Sequence, residues 1–466
     1  MKHPLLLKAL AIVAIFAALL LGLHSVDRLV DERRHRQRQA EQNIEQGSAG
    51  RQTVMGPVLH SACVEEWEQT QARDGQAPTV TVERREFRLT AVPSRLNIDA
   101  SAAPEPRYRG LFKVNAYAAK ATVQAQWDSL ASLVPRREHP GSRLQCGDPL
   151  LMVALSDPRG IRLAQVQVQG QSLAVRAGTF HGSYPGGFHA VLPEALRGES
   201  AITAQLQLDL LGTGELSLAP VAGSTRLVLD SGWPHPSFGG RFLPASREVK
   251  ADGFTATWLV SSLATTAPAD FARGAGLCHA SAWASPELET ATGGRKPGCI
   301  ESFGVAFMDP VNPYVLSDRA IKYGLLFIVL TFVAVGMVEL LQRRRVHPVQ
   351  YLLVGCALLC FFLLLASLSE HLPFGAAYAA ASTGCALLLA YYASHMLGGW
   401  RAGVAFGVGT GGLYGALYAL LQMEQAALAM GAVLLFAVLA ALMIATRKLD
   451  WYGLSDSLAA PRAPAA

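Results

Sequence analysis

Two patterns of apolar residues divide the chain. From Tyr323 to Ala445 the apolar residues run almost unbroken, in Tyr323–Leu341, Val349–Leu368, Phe374–Leu397, Ala402–Leu421 and Ala426–Ala445, with short polar joints between them. Each run is about 20 residues, enough to cross ~30 Å of hydrocarbon at 1.5 Å per residue. None carries the polar face that a helix of a soluble protein presents to water. Backbone inside a bilayer must satisfy its own hydrogen bonds, so these runs read as membrane-spanning helices. A further run, Leu5–Leu23, lies among Lys2, His3 and Lys8. No small-x-small cleavage site follows it, only His24, Ser25, Val26 and Asp27, so it reads as a retained anchor rather than a cleaved signal peptide.

Between these regions the period changes. Asp27–Gln46 is helical in pattern and densely charged, and Gly47-Ser48-Ala49-Gly50 ends it. It reads as a solvated continuation of the first helix, or as a surface for anionic headgroups. Beyond it, Thr79–Glu83, Phe87–Thr90, Phe112–Tyr117, Ala121–Trp127, Ile161–Val168, Ala201–Leu210, Arg226–Leu229 and Phe254–Val260 alternate apolar and polar residues. Such alternation with Gly, Pro and Asp punctuation predicts antiparallel strands with one buried face. The expected fold is a membrane protein with six α-helical spans and a large, mostly-β exported domain between spans one and two. That domain is a sandwich or twisted multi-sheet of one or two subdomains. The expected boundaries are an anchor over 1–23, a charged juxtamembrane helix over 24–50, the β domain over 51–318, five spans over 319–446 and a tail over 447–466.

The joints orient the spans. Arg343-Arg344-Arg345, Arg401 and Arg447-Lys448 lie on one side, while Ser369-Glu370-His371 and Gln422-Met423-Glu424-Gln425 carry no Lys or Arg. The positive-inside bias places the Arg joints and both termini in the cytoplasm. Trp451 and Tyr452 stand where an interface anchor belongs. Much of the net charge of +5 is explained by these anchors, so it does not point to nucleic acid.

Four cysteines lie outside the apolar runs: Cys63, Cys146, Cys278 and Cys299. In an oxidising compartment they predict two disulfides, with Cys278–Cys299 closing a Gly-rich loop and Cys63–Cys146 by elimination. A metal site using His60, His181 or His279 lacks the usual ligand spacings, and no metal or cofactor is expected. Cys356, Cys360 and Cys385 read as small packing residues. No nucleophile elbow, zincin helix, phosphate loop or dinucleotide fingerprint is present. Gly212-Thr213-Gly214 reads as a hairpin turn.

Four features remain to be read. Trp233-Pro234-His235-Pro236-Ser237-Phe238 is stiffened by its prolines. It either presents Trp233, His235 and Phe238 to a ligand or partner, or packs its aromatics into the β core. Glu370, His371 and Glu424 share the outer face, as titrating groups at a bundle mouth or as interfacial caps. Glu339 precedes Arg343 by one turn, an i, i+4 pair. Gly403, Gly407, Gly411 and Gly415 form a stripe for close helix packing, within the bundle, across a dimer seam or along a ligand groove.

The chain also resembles a known family. Asp318-Arg319-Ala320-Ile321-Lys322-Tyr323, Glu339-Leu340-Leu341, His347-Pro348-Val349-Gln350-Tyr351, Leu368-Ser369-Glu370-His371 and Asp450-Trp451-Tyr452 occur in its order. So do Arg109-Gly110-Leu111-Phe112, Ser156-Asp157-Pro158-Arg159-Gly160 and Trp233–Phe238. Together they resemble the CreD family of bacterial inner-membrane proteins over most of the chain, fading at 60–78, 128–147 and 264–300. The resemblance implies an inner-membrane protein of envelope integrity and stress response, linked to a two-component regulon, colicin tolerance and β-lactam susceptibility. The residues themselves suggest a non-enzymatic binding or scaffolding protein at the outer face of the membrane. Its expected partners are membrane lipids and an envelope protein or ligand, with a homo-oligomer left open. A transporter or lipid-handling protein using the outer carboxylates, or a periplasmic enzyme using His235, are the alternatives.

Overall fold

The computed structural model describes residues 4–71, 79–110, 112–197, 200–283, 298–309, 313–342, 346–396, 399–422 and 427–447. The chain forms two compact units: residues 1–37 with 311–466, and residues 38–310. Arg343–Arg345, Glu424, Lys448, Trp451 and Tyr452 lie outside the described residues.

The first unit is helical. Helix α1, Pro4–Gly47, is continuous over 44 residues, so the apolar anchor and the charged stretch are one helix. A short helix of the second unit, α2, is Ala267–Ala272. The first unit continues with α3 (Pro313–Lys322), α4 (Gly324–Gln342), α5 (Pro348–Leu368), α6 (Phe374–Met396), α7 (Trp400–Gln422) and α8 (Ala427–Thr446). Among the described residues, four helices are long and apolar enough to cross a membrane, or five if the pair α3–α4, bent by 44°, counts as one. Start signals are visible in the sequence of α5. His347 caps it through its ring nitrogen, Gln350 reaches back to the His347 amide, and Pro348 occupies the first turn.

Leu19, Leu23, Val26 and Val30 of α1 are buried among Phe327, Phe361, Phe362 and Tyr414. Glycines make the close approaches possible. A Cβ on Gly355 would lie 2.2 Å from Leu19 Cδ1, and one on Gly324 would lie 2.8 Å from Leu23 Cδ1. Each glycine is a notch for a leucine of the first helix.

Among the described residues, the second unit is a sandwich of two large sheets with two further two-stranded ribbons. The nine-stranded sheet is built on the strand Gln52–Gln71. This strand runs parallel to Glu215–Ala219 and antiparallel to Thr79–Ala91, Arg143–Cys146 and Leu150–Leu155. The eight-stranded sheet centres on Ile202–Thr213, Ala116–Trp127 and Arg95–Pro104. The inner faces share one core, with Trp127, Trp258, Tyr117 and Phe303 almost fully buried. Both sheets lie within one compact unit, residues 38–310.

Gly212-Thr213-Gly214 is not a hairpin. It leads from Ile202–Thr213 in one sheet to Glu215–Ala219 in the other. Gly214 takes φ of 73°, and a Cβ on Gly212 would strike the Tyr117 hydroxyl at 2.2 Å. The glycines thus turn a sandwich corner, where the chain must change sheets beside a buried ring.

Gly304 sits opposite both Ser217 and Gly239 in the ladder. A Cβ there would meet the Leu216 carbonyl oxygen at 2.1 Å. Gly304→Ala is expected to destabilise the sandwich by about 1–3 kcal/mol, because backbone rather than a movable side chain must yield. Faster hydrogen exchange at Phe303 and Val305 would register the loss.

Candidate functional site

The Trp233–Phe238 segment divides between core and surface. Trp233 is only 7% exposed. Its indole N–H donates to the carbonyls of His235 and Met308, each at 3.1 Å. Phe238 is half-buried and packs edge-on against Phe254 and Trp258 at 5.4 and 5.7 Å. His235 alone is exposed among the three. Of the two alternatives for the segment, Trp233 and Phe238 take the packed one and His235 the exposed one. Trp233 staples the segment to the sandwich, and both rings complete its core.

In the helical unit, Glu370 is drawn to Arg33 of α1, with Nε–Oε1 at 3.3 Å. His371 is exposed beside it, while Glu424 is not among the described residues. Asp318 accepts from Lys322 at 3.0 Å and lies 3.3 Å from Arg34. The charged half of α1 therefore pairs with α3 and with the α5–α6 joint. Among the described residues, Lys8 of α1, the Tyr351 hydroxyl at 3.0 Å and the Val346 amide at 3.2 Å all donate to Glu339.

The glycine stripe splits in two. A Cβ on Gly403 or Gly407 would lie 2.5 Å from Ser394 or Ala390 of α6, so these two serve helix contact. Gly411 and Gly415 have nothing within 4 Å of such an atom. With Gly407, Tyr378, Leu387 and Val408 they line an open groove of about 750 Å³ between α6 and α7. Cys385 is buried, whereas Cys356 and Cys360 are exposed.

The structure joins Cys63 to Cys146 and Cys278 to Cys299. Buried carboxylates stand beside both bonds. Glu65, two residues from Cys63, accepts from the Glu138 and His139 amides at 3.0 and 3.1 Å and from the Ser142 hydroxyl at 2.6 Å. The Ser142 bond outweighs desolvation and holds the Glu65 carboxyl below its ordinary range. Glu215 accepts from Ser217 and from the Ser281 amide, just past Cys278. His279 bonds Thr53 through Nδ1 at 2.9 Å, and burial, as the largest influence, lowers its pKa.

Pro158–Gly160 forms one short 3-10 turn, with Asp157 accepting from the Arg159 amide at its start. In the structure this segment also holds the end of α1. Arg159 donates to the Gln46 and Glu45 carbonyls at 2.6 and 3.1 Å. Asp157 in turn accepts from Arg159 and from the Gly50 amide. Burial opposes the charge of Asp157, but these bonds more than offset it and keep its carboxyl below the usual range. The last carbonyls of a helix have no partner within it, and a cation there also opposes the helix dipole. Gly47-Ser48-Ala49-Gly50 signalled the helix end, yet its distant capping residue had no local signal.

Arg159→Ala is expected to cost about 0.5–2 kcal/mol locally, the usual range for a lost cap. Amide exchange at Ser48, which bonds the Ile44 carbonyl at 2.9 Å, should quicken while the sandwich core stays protected.

A family model described as inner membrane protein CreD matches residues 4–452. Inner membrane protein CreD of Escherichia coli (strain K12) is 33% identical over 457 residues, covering 98% of this chain and 95% of that protein. Among solved structures, an M1 zinc metallopeptidase from Deinococcus radiodurans aligns at 10% identity over 36% of this chain and 38% of its own, with a TM-score of 0.19.

Proposed function

The chain belongs to the CreD family of inner membrane proteins, and we propose that it is a non-enzymatic binding or scaffolding protein of envelope integrity and stress response, with its β sandwich on the periplasmic face. It is a membrane protein with several apolar helices and a large mostly-β domain. The observation that carries the scaffolding reading is how the buried carboxylates are used. Glu65, Glu215 and Glu301 each accept backbone amides and hydroxyls that fix neighbouring loops. Their charge is engaged in holding shape. Exposed His235, whose carbonyl accepts from the Trp233 indole, is the contact position of choice on that domain.

The topology has six spans. Its support comes from the four long helices, the bent pair α3–α4, and the 20-residue α8, which contains no charged residue. The burial of Leu19 and Leu23 of α1 in the helical core supports an uncleaved anchor. With six spans and the arginine joints inside, both termini are cytoplasmic and residues 51–309 are exported. A membrane-impermeant maleimide should label His371→Cys in intact spheroplasts and leave Arg401→Cys unlabelled until the membrane is opened. The reverse pattern would overturn the orientation.

The groove between α6 and α7 favours a second reading, a lipid-handling or transport protein. Complementation separates the two. In a strain lacking the gene, resistance to detergent and colicin is scored with membrane levels of each variant held equal. The scaffold reading expects Glu370→Gln to restore resistance and deletion of residues 52–309 to abolish it. Loss of function in Glu370→Gln at normal abundance would transfer the function to the bundle.

A further inference from the structure

Three buried histidines meet on the nine-stranded sheet, and nothing proposed above uses them. His60, His181 and His189 are 1%, 7% and 3% exposed. They surround the turn Gly178–Pro185. His60 Nε2 bonds the Thr179 carbonyl at 2.9 Å, and His189 Nδ1 bonds the Gly178 carbonyl at 2.6 Å. A carbonyl only accepts, so both nitrogens carry their proton there. Two successive carbonyls of the turn are thus held by imidazole N–H groups. The turn needs such holding, because Gly178 and Phe180 both have positive φ, 76° and 55°.

The protonated rings do not fit. His60 Nδ1 is buried without a hydrogen-bond partner, so a proton added there would be desolvated and unpaired. His181 Nδ1 accepts from the Ser183 amide at 3.3 Å, and a proton on it would set donor against donor. The two rings stand 5.5 Å apart, so their charges would repel. Among the neighbouring elements, Arg88 of Thr79–Ala91 adds positive charge to both, and His189 adds to His60 when charged. Asp270 of α2 is engaged by Thr266 and Arg273. Tyr184 is a neutral phenol that donates to the Ala275 carbonyl at 2.7 Å.

We infer that Gly178–Pro185 is an acid-released latch, closed while His60 and His181 are neutral and opened when they take up protons. Opening withdraws Tyr184 from Phe271, against which it stacks at 5.5 Å, and frees Phe180, which is already 71% exposed over His189. The result is an acid-dependent apolar surface on the β unit. This inference is independent of the scaffolding reading.

The pH window follows from the direction of the shifts. Burial, then Arg88 and His60, lowers the His181 pKa to about 4, and burial lowers that of His60. A histidine in the opened turn titrates near ~6.5. The open form therefore binds protons first, and the closed turn loses stability as pH falls from the open value toward the closed one.

Hydrogen exchange of the full chain in lipid nanodiscs, corrected for intrinsic rates, reads the latch at the amides of Gly178, His181 and Tyr184. These amides bond the Gly187 carbonyl, the Thr179 hydroxyl and the His181 carbonyl. Their protection should fall on the order of tenfold between pH 7 and pH 5, with that of Val58 and Leu59 unchanged. His181→Phe keeps a ring against Tyr184 and Phe271 without a titrating group, and should flatten the fall. Should that variant misfold, Arg88→Gln serves instead. It removes an exposed positive charge facing both histidines, brings the closed-state pKa nearer the open value and makes the fall shallower. Protection independent of pH in the wild type, or the same fall in both variants, would overturn the latch.

Discussion

Leu19 in the notch of Gly355 and Arg159 over the last carbonyls of α1 express one constraint. A single helix of 44 residues must be satisfied by apolar neighbours at one end and by polar ones at the other. Its apolar half has no water to retreat to, and van der Waals fit with the following helices replaces the hydrophobic drive. Its polar half carries Arg33 and Arg34, which meet Glu370 and Asp318. The helix is therefore a structural member of both units, and the glycines and acids on other elements make sense as its counterparts.

A second theme is the use of carboxylates as clamps. Asp157, Glu215 and Glu301 lie at or beside the ends of regular elements and Glu65 lies within a strand, and each gathers donors from residues far away in sequence. A charge-assisted bond from a backbone amide is stronger than a neutral one, and an ionised oxygen accepts several donors together. Loops near the disulfides are thus fixed from two sides, by the covalent link and by the carboxylate beside it.

The membrane helices and most strands were legible because their signals are local: apolar length, alternation, and a Pro or Gly at the boundary. His347-Pro348 announced its own helix. The roles of individual residues were less legible, because their causes are distant. Local spacing offered Glu339 only a neighbour on its own helix, and the fold adds Lys8 and Tyr351, which no spacing could announce. Trp233 looked presentable ahead of two prolines, yet its indole is needed by the Met308 carbonyl and by Phe307. Gly212 and Gly214 looked like a hairpin because glycine spacing alone does not tell whether the next strand joins the same sheet. His60 and His181 appeared as scattered metal candidates; their common turn emerges only when two strands align.

Lys8 and Glu339 are 331 residues apart in the chain. A ribosome releases α1 long before α4 or α5 exists, and the whole sandwich lies between them. The first helix is thus made without its glycine sockets and waits while the β unit is made. The sandwich has a similar delay, since Gln52–Gln71 is its first strand while its parallel neighbour Glu215–Ala219 comes late. Local contacts form early and distant ones pay loop-closure entropy first. Biogenesis of this protein accordingly ends where it began, with the last-made helices closing around the first-made one. A nascent chain stopped before Gly355 would leave an orphan anchor for membrane quality control to find.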